Sequence, residues 1–592
     1  MRVAFCSWRC VSRLVALTGM LPMAACIAHA PGNQQQKQIS VTVTGSVASP
    51  ASIPVSTATT PSTIQYTATV TGTGNTAVTW SLAAASNSST VCTATGAALG
   101  TITATGADSI TYTAPTEVPV SPCGVAVTAT SNEDNSSKGQ SLVNVHIMLA
   151  ISPLNDTIGQ GANFQYTSTL VGAPTGNDGV VWSANCPTCP SQQTGGAFDV
   201  NNPGLFIAPG LMQDITNITT TITATPNFDP TQAQTATMTV LKTDPLGTVT
   251  PSTAVAAQTT CPVFSAGAPG STCYKVKVSC DGIADWSAYL KVNQPSGNPL
   301  GTVVFSTGSG GGTLYDNDSN FINGTFNGGD NIVERVLNTT VADAGYTTVQ
   351  VSFGAPFDNS TAVANGWLQG PGGVRRLACR YASVVDWIYK SIHNSNTTAP
   401  MCATGNSAGA GAISYAVSEY GLASEFSLVE PTGGPVMTLL HQGCSPCSQF
   451  TASNFCTQTH QSMCYSVSSG GSSSTAEIID NAYQAQGQTT PTVCTDGVNG
   501  NNKNFNRLLS DSIEDDPSIT TPLPIVNPPT TTKVVLGTLD TTSAVLQGYA
   551  WWGAVGPPPQ LKCIADAAHA IPAVQDGADQ IVSDIETMCK VH

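Results

Sequence analysis

The sequence predicts a multidomain chain in which two all-β sandwiches precede one α/β domain, its mostly parallel sheet covered by helices on both faces and interrupted by a cysteine-rich insertion. Three observations predict it. One strand pattern occurs twice between about residues 39 and 243; beyond residue 261 apolar strands alternate with helical periodicity; and the cysteines divide among these regions. At 592 residues the chain is too long for one hydrophobic core, and usual domain sizes suggest roughly three or four units.

The two copies align piece by piece. Ile64-Gln-Tyr-Thr-Ala-Thr69 matches Phe164-Gln-Tyr-Thr-Ser-Thr169, and Val78-Thr-Trp-Ser81 matches Val180-Val-Trp-Ser183. Ile110-Thr-Tyr-Thr-Ala-Pro115 matches Gly204-Leu-Phe-Ile-Ala-Pro209, and Val127-Thr-Ala-Thr130 matches Ile222-Thr-Ala-Thr225. Apolar and polar residues alternate within each piece, as half-buried antiparallel strands require. The period of roughly 95 to 100 residues is that of one immunoglobulin-like sandwich. The copies, over residues 39–146 and 147–243, resemble the immunoglobulin-like repeats of bacterial surface proteins, which makes Trp80 and Trp182 core residues.

Residues 244–260, with their Thr and Pro, read as a linker. After it come eight candidate strands: Tyr274 to Ser279, Tyr289 to Val292, Thr302 to Ser306, Thr347 to Phe353, Met401 to Asn406, Phe426 to Glu430, Lys533 to Leu539 and Leu561 to Ala565. Helical periodicity is clearest over 373–390, 408–420 and 578–588. Strand and helix in alternation argue for a parallel sheet with both faces buried.

Composition narrows the function. Only 9% of residues are charged, and 35 Asp+Glu outweigh 19 Lys+Arg, a net charge of −16 that repels phosphate backbones and anionic lipid. Nucleic acid is excluded as a natural partner. Arg2, Arg9 and Arg13 precede the apolar run Leu14 to Ile27, which reads as an export signal too short to span a bilayer once mature. Leu21-Pro-Met-Ala-Ala-Cys26 has the form of a bacterial lipoprotein signal, which would lipidate Cys26, whereas Ala28-His-Ala30 fits ordinary signal cleavage. Either places the protein outside the cell or in the cell envelope, touching membrane only through that lipid. Without Cys6, Cys10 and Cys26, 16 of the 19 cysteines remain, an even number that suits a disulfide framework. Cys92 and Cys123 fall in the first repeat, Cys186 and Cys189 in the second, and twelve lie from Cys261 onward, so each region can pair internally. Metal or redox use of Cys186-Pro-Thr-Cys189 or Cys444-Ser-Pro-Cys447 is the lesser reading, and no cofactor motif is present.

The chemistry centres on Gly405-Asn-Ser407-Ala-Gly409, set between the strand-like Met401 to Thr404 and a helix-like run rich in Ala and Gly. A strand-to-helix turn with glycines on both sides of a serine exposes that hydroxyl. The motif alone is weak; its place on the fifth strand gives it weight. With these residues, segment 274–592 resembles the α/β-hydrolase superfamily. The resemblance implies an acid after the seventh strand, where Lys533-Val-Val-Leu-Gly-Thr-Leu-Asp540 ends in Asp, and a histidine after the last strand, where His569 lies. Asp566 and Asp511 are rivals for the acid, but an acid three residues before the base is badly placed to orient its ring.

The resemblance thus implies a serine hydrolase in which Ser407 attacks a carboxylic ester, His569 moves the proton and Asp540 orients the imidazole. The substrate would be a small or polymeric ester, with no metal or cofactor. For the oxyanion hole it implies the N–H of Ala408 and a second donor from the Gly-rich loop after the third strand, Ser309 or Gly310. A phosphate-cradling role for that loop fails because no Lys follows the glycines. The resemblance further implies that the insertion of about residues 437–530 is a cap. It holds Cys444, Cys447, Cys456, Cys464 and Cys494, an odd five, so at least one must bond outside it. Two other readings stay open: a surface adhesion or binding protein with an inactive hydrolase domain, and a serine peptidase of the same fold.

Overall fold

The computed structural model describes residues 38–591 apart from 86–93, 120–123, 190–193, 210–216, 252–270, 339–344, 356–364, 445–452, 457, 461–474, 485–492, 495–501, 515–524, 527–529, 543 and 557–559. The signal segment with Cys26, and Cys92, Cys123, Cys261, Cys447 and Cys464, lie outside the described residues. Two compact units divide between Val145 and His146.

In the first unit two four-stranded sheets face each other. Ser40–Gly45, Thr63–Thr71, Ser109–Thr113 and Thr101–Ala104 form one, and Ala51–Pro54, Lys138–His146, Gly124–Ser131 and Val78–Ala85 the other. The strict in-and-out alternation of Thr63–Thr71 puts Ala68 and Val70 against Val78 and Ala129 of the facing sheet, with Trp80 half-buried beside them. Alternation of period two is what a sheet with one wet face needs.

The second unit begins with the second strand-rich repeat. Its largest sheet joins Asn155–Gly159, Gln234–Leu241, Asn217–Pro226 and Val180–Asn185. Tyr166, Trp182, Phe198 and Phe206 meet in tilted and edge-on ring contacts through its core. Cys186 and Cys189 are bonded to each other, not arranged around a metal.

Among the described residues nine strands make the main sheet of this unit: β1 (Thr248–Pro251), β2 (Ser271–Ser279), β3 (Trp286–Asn293), β4 (Thr302–Ser306), β5 (Thr347–Ser352), β6 (Met401–Asn406), β7 (Leu428–Thr432), β8 (Thr531–Gly537) and β9 (Gln560–Ile564). Their order is β1-β2-β3-β5-β4-β6-β7-β8-β9. The first three pair antiparallel, β3 is antiparallel to β5, and from β5 onward neighbours are parallel. Among the described residues the α-helices longer than one turn are α1 (Gly328–Leu337), α2 (Cys379–Ser391), α3 (Ala408–Ser418), α4 (Leu440–Cys444), α5 (Thr475–Asn481), α6 (Asn502–Asp511), α7 (Ala544–Ala554) and α8 (Gln575–Met588). Both faces of the sheet are covered. On β4, Val303 and Phe305 meet α1 and α8 while Val304 faces the side of α2, α3 and α7, so the whole run is apolar.

One expectation needs correction. The described part of the 244–260 stretch is not a free linker: Thr248–Pro251 hydrogen-bonds along β2 as the sheet's edge. Asp244 ahead of it is buried and bonded on both sides, to Gly159 N and to Arg375. A Thr-Val-Thr-Pro run is short and polar enough to pass for loop, yet its alternation suits an edge strand.

Disulfides join Cys280–Cys379, Cys402–Cys589, Cys444–Cys494 and Cys456–Cys563. Such bridges suit an oxidising, extracellular setting. Among the described residues no helix is long and apolar enough to cross a membrane. The Cys456–Cys563 bond leaves the insertion and fastens it to β9, the external tie that an odd cysteine count required.

Candidate active site

The site lies at the carboxyl ends of β4, β6, β8 and β9, where loops of an open α/β sheet converge. Between β6 and α3 the chain reverses sharply at Ser407, with φ 58° and ψ −119°. This is an uncommon conformation for a residue with a side chain, held only where its surroundings demand it. The flanking glycines make it feasible. A Cβ on Gly405 would stand 2.4 Å from Ser306 Oγ, and one on Gly409 2.7 Å from the carbonyl oxygens of Ser306 and Thr307. Only without those carbons can β4, β6 and the start of α3 approach this closely. Ser407 N donates to Thr432 O at 2.9 Å, which ties the turn to the end of β7.

The loop after β9 brings His569 to the serine. His569 Nε2 lies 2.8 Å from Ser407 Oγ, and Nδ1 lies 2.9 Å from Asp540 Oδ2. An ionised carboxylate only accepts, so Nδ1 carries the proton toward Asp540 and Nε2 is left to accept from the serine hydroxyl. The Asp540 side chain is fully shielded while that of His569 is 33% exposed, so the acid is closed off and the imidazole can be reached. Thr542 N donates to Asp540 Oδ1 at 2.8 Å, and the Thr542 hydroxyl is 3.3 Å from His569 Nδ1.

Asn406 and Gly433 complete the fit. Asn406 Oδ1 accepts from the Thr432 hydroxyl at 3.0 Å and from Ile571 N at 3.2 Å, binding the histidine loop to the turn. Gly433, at φ 51°, leaves room for His569: a Cβ there would be 2.3 Å from the His569 carbonyl oxygen. Sequence reasoning passed over Asn406, Gly433 and Thr542. Asn406 is the variable residue inside the Gly405–Gly409 motif, and that position was the one available signal.

The Gly-rich loop closes the other side. Gly308 to Gly311 form a turn in which Gly311 N donates to Gly308 O at 2.8 Å, with Ser309 and Gly310 both at positive φ. A Cβ on Gly308 would come 3.1 Å from Ser407 Cβ, so the loop rests directly on the serine. Its carbonyls face away: Gly310 O accepts from Trp367 N and Gly311 O from Phe353 N. Among the described residues, the N–H groups of Ser309 and Gly310 have no hydrogen-bond partner. Ala408 N stands in the first turn of α3, where helix N–H groups are unpaired and the helix dipole is positive.

The rivals fall elsewhere. Asp566 is exposed. Asp511 is buried in the insertion, accepts from the Tyr483 hydroxyl at 2.6 Å, and is pushed up to about 6 chiefly by burial. His393 is a structural histidine bonded to Thr302 Oγ1 and to the carbonyls of Asn396 and Ala399. Among the described residues no group of three His, Cys, Asp or Glu could hold a metal ion.

The sequence matches no protein-family model and no curated protein. Solved structures similar to part of it include an acetyl xylan esterase from Paenibacillus sp. R4, 13% identical over 58% of this chain and 90% of its own, at a TM-score of 0.33. An esterase from Thermogutta terrifontis is 12% identical over 53% of this chain and 96% of its own, at 0.28. An esterase from Rhodococcus sp. ECU1013 is 13% identical over 53% and 98%, also at 0.28. Likenesses this slight decide nothing about the chain, whose reading rests on its own geometry.

Proposed function

We propose that the chain is an exported serine hydrolase that cleaves carboxylic esters through Ser407, His569 and Asp540. The observation that carries this reading is the pair of short contacts from one imidazole, 2.8 Å to the Ser407 hydroxyl and 2.9 Å to the Asp540 carboxylate, at a half-buried serine held in a sharp turn. Ser407 Oγ adds to the acyl carbon as its proton passes to His569 Nε2, and Asp540 balances the imidazolium. The carbonyl electrons move to oxygen, where Ala408 N with Ser309 N or Gly310 N receives the charge. Collapse breaks the ester C–O bond, the leaving alcohol takes the proton from His569, and water then releases the acid by the same steps. The N-terminal repeats are proposed to be immunoglobulin-like, and the insertion a cap.

A fluorophosphonate probe tests this directly. The protein should be labelled on Ser407 and should turn over p-nitrophenyl esters of some chain length. Failure of both with folded protein would favour an inactive adhesion module, and peptide cleavage without ester cleavage a peptidase.

A further inference from the structure

The second repeat does more than precede the α/β domain. Arg375, in the helical turn Val374–Leu377, is buried where four segments of the second unit meet. Its Nε donates to Asp244 Oδ2 at 2.7 Å, at the entry to β1, and Nη2 pairs with Glu419 Oε2 at 2.7 Å, just past α3. Nη2 also donates to Gln160 O of the repeat at 2.8 Å, and Nη1 to Ser510 O of the insertion at 3.4 Å. Asp244 Oδ1 accepts from Gly159 N of the repeat at 2.9 Å, and Asp244 N donates to Glu419 O at 2.8 Å. Arg376 beside it binds Asp156 at 2.7 Å and lies over the Phe164 ring at 4.9 Å, both in the repeat. Helix α6 of the insertion packs against strand Asn163–Gln165.

The insertion leaves the sheet at Gly433 and Gly434, beside Ser407. On its way back it touches the segment behind the Gly-rich loop: Gly370 N donates to Asn481 O and Gly373 N to Ala482 O. We propose that Arg375 is a positioning residue, through which the second repeat becomes part of the hydrolase unit and holds the far side of the insertion that starts beside Ser407. The repeat is then a brace for the substrate-facing segment and not a spacer. A planar, permanently charged fork reaching two carboxylates and two carbonyls suits that role; a point charge does not.

Hydrogen–deuterium exchange on the full-length protein tests this without reference to ester turnover, so its failure is separate from failure of the proposed activity. In Arg375→Met, exchange should rise by about tenfold or more in 475–484, 502–514 and 155–165, while β6 and β8 keep wild-type protection. Arg375→Lys should fall between. The groups facing Arg375 are Asp244, Glu419, Asp511 and Tyr420, with Arg376 and Arg507 nearby, so Arg375→Met leaves buried carboxylates without their cation. Its excess exchange should therefore be larger at pH 8 than at pH 5, a dependence that loss of packing alone does not produce. If Arg375→Met does not fold, Asp244→Asn should show the same local pattern. Arg335→Met, which breaks an exposed pair with Asp579, serves as control and should change none of these segments. Wild-type protection of the insertion and repeat in the variants, or an even loss through β6 and β8, would overturn the proposal.

Discussion

Asn406 Oδ1 accepts the backbone N–H of Ile571 at 3.2 Å, so the residue before Ser407 holds the segment that carries His569. Because Ile571 N–H can only donate, the amide oxygen is fixed on that side. Asn406→Ala should lower kcat by about 10- to 100-fold through a shifted imidazole, with little change in KM for a small ester. Asn406→Asp keeps the acceptor and should recover part of the loss. Steady-state kinetics decide: an Ala variant with wild-type kcat would show that the contact does not set the Ser–His distance.

Replacing the nucleophile gives a larger effect. Ser407→Ala should reduce turnover by at least ~10³-fold with unchanged circular dichroism, since the remaining donors and His569 have nothing to activate. Retained turnover in purified variant would transfer the chemistry to another residue.

The Cys456–Cys563 bridge closes a long loop, with a separation of 107 residues, between the insertion and β9. Such a bridge contributes about 4–5 kcal/mol in the chain-entropy view. A Cys456→Ser/Cys563→Ser double variant should lose activity at lower temperature than wild type, ahead of unfolding of the sheet. Activity and intrinsic fluorescence followed together on heating would reveal it, and coincident loss of both would show that packing alone holds the insertion.

Asp511 should make stability depend on pH. Burial lifts its carboxyl to about 6 from an ordinary 3.8, against the Tyr483 hydroxyl and the Arg507 and Arg375 charges. The folded state therefore holds this proton more tightly than the unfolded chain, and stability falls as pH rises from about 4 to about 6. The change amounts to ~3 kcal/mol at most. Asp511→Asn removes the titration, so its Tm relative to wild type should climb across that range. Parallel curves from pH 4 to 8 would mean that Asp511 ionises as freely when folded.

Strands β4 to β9 were legible because parallel strands inside a sheet are short, mostly apolar runs, and β2 and β3 because apolar residues recur along them; that Ser407, Asp540 and His569 converge was legible because each follows a strand end. What stayed hidden depends on contacts distant in sequence. Thr248–Pro251 carries no apolar run, and only pairing with β2 makes it a strand. Arg375 meets Asp244 across 131 residues of chain, a pairing no local pattern announces. Asn406 looked like a filler position in its motif, since its partner Ile571 comes 165 residues later.

The two outer strands of the nine-stranded sheet bear on behaviour at high concentration. An unpaired strand edge is a template for joining a second molecule. On one side β1 is four residues long and ends in Pro251, which has no N–H to offer. On the other, β9 is crossed by the Cys456–Cys563 bond. A chain shortened to begin at residue 261 would strip β1 away and leave the nine-residue β2 as a bare ledge, on which the charges of Lys275 and Lys277 become the guard against a second molecule.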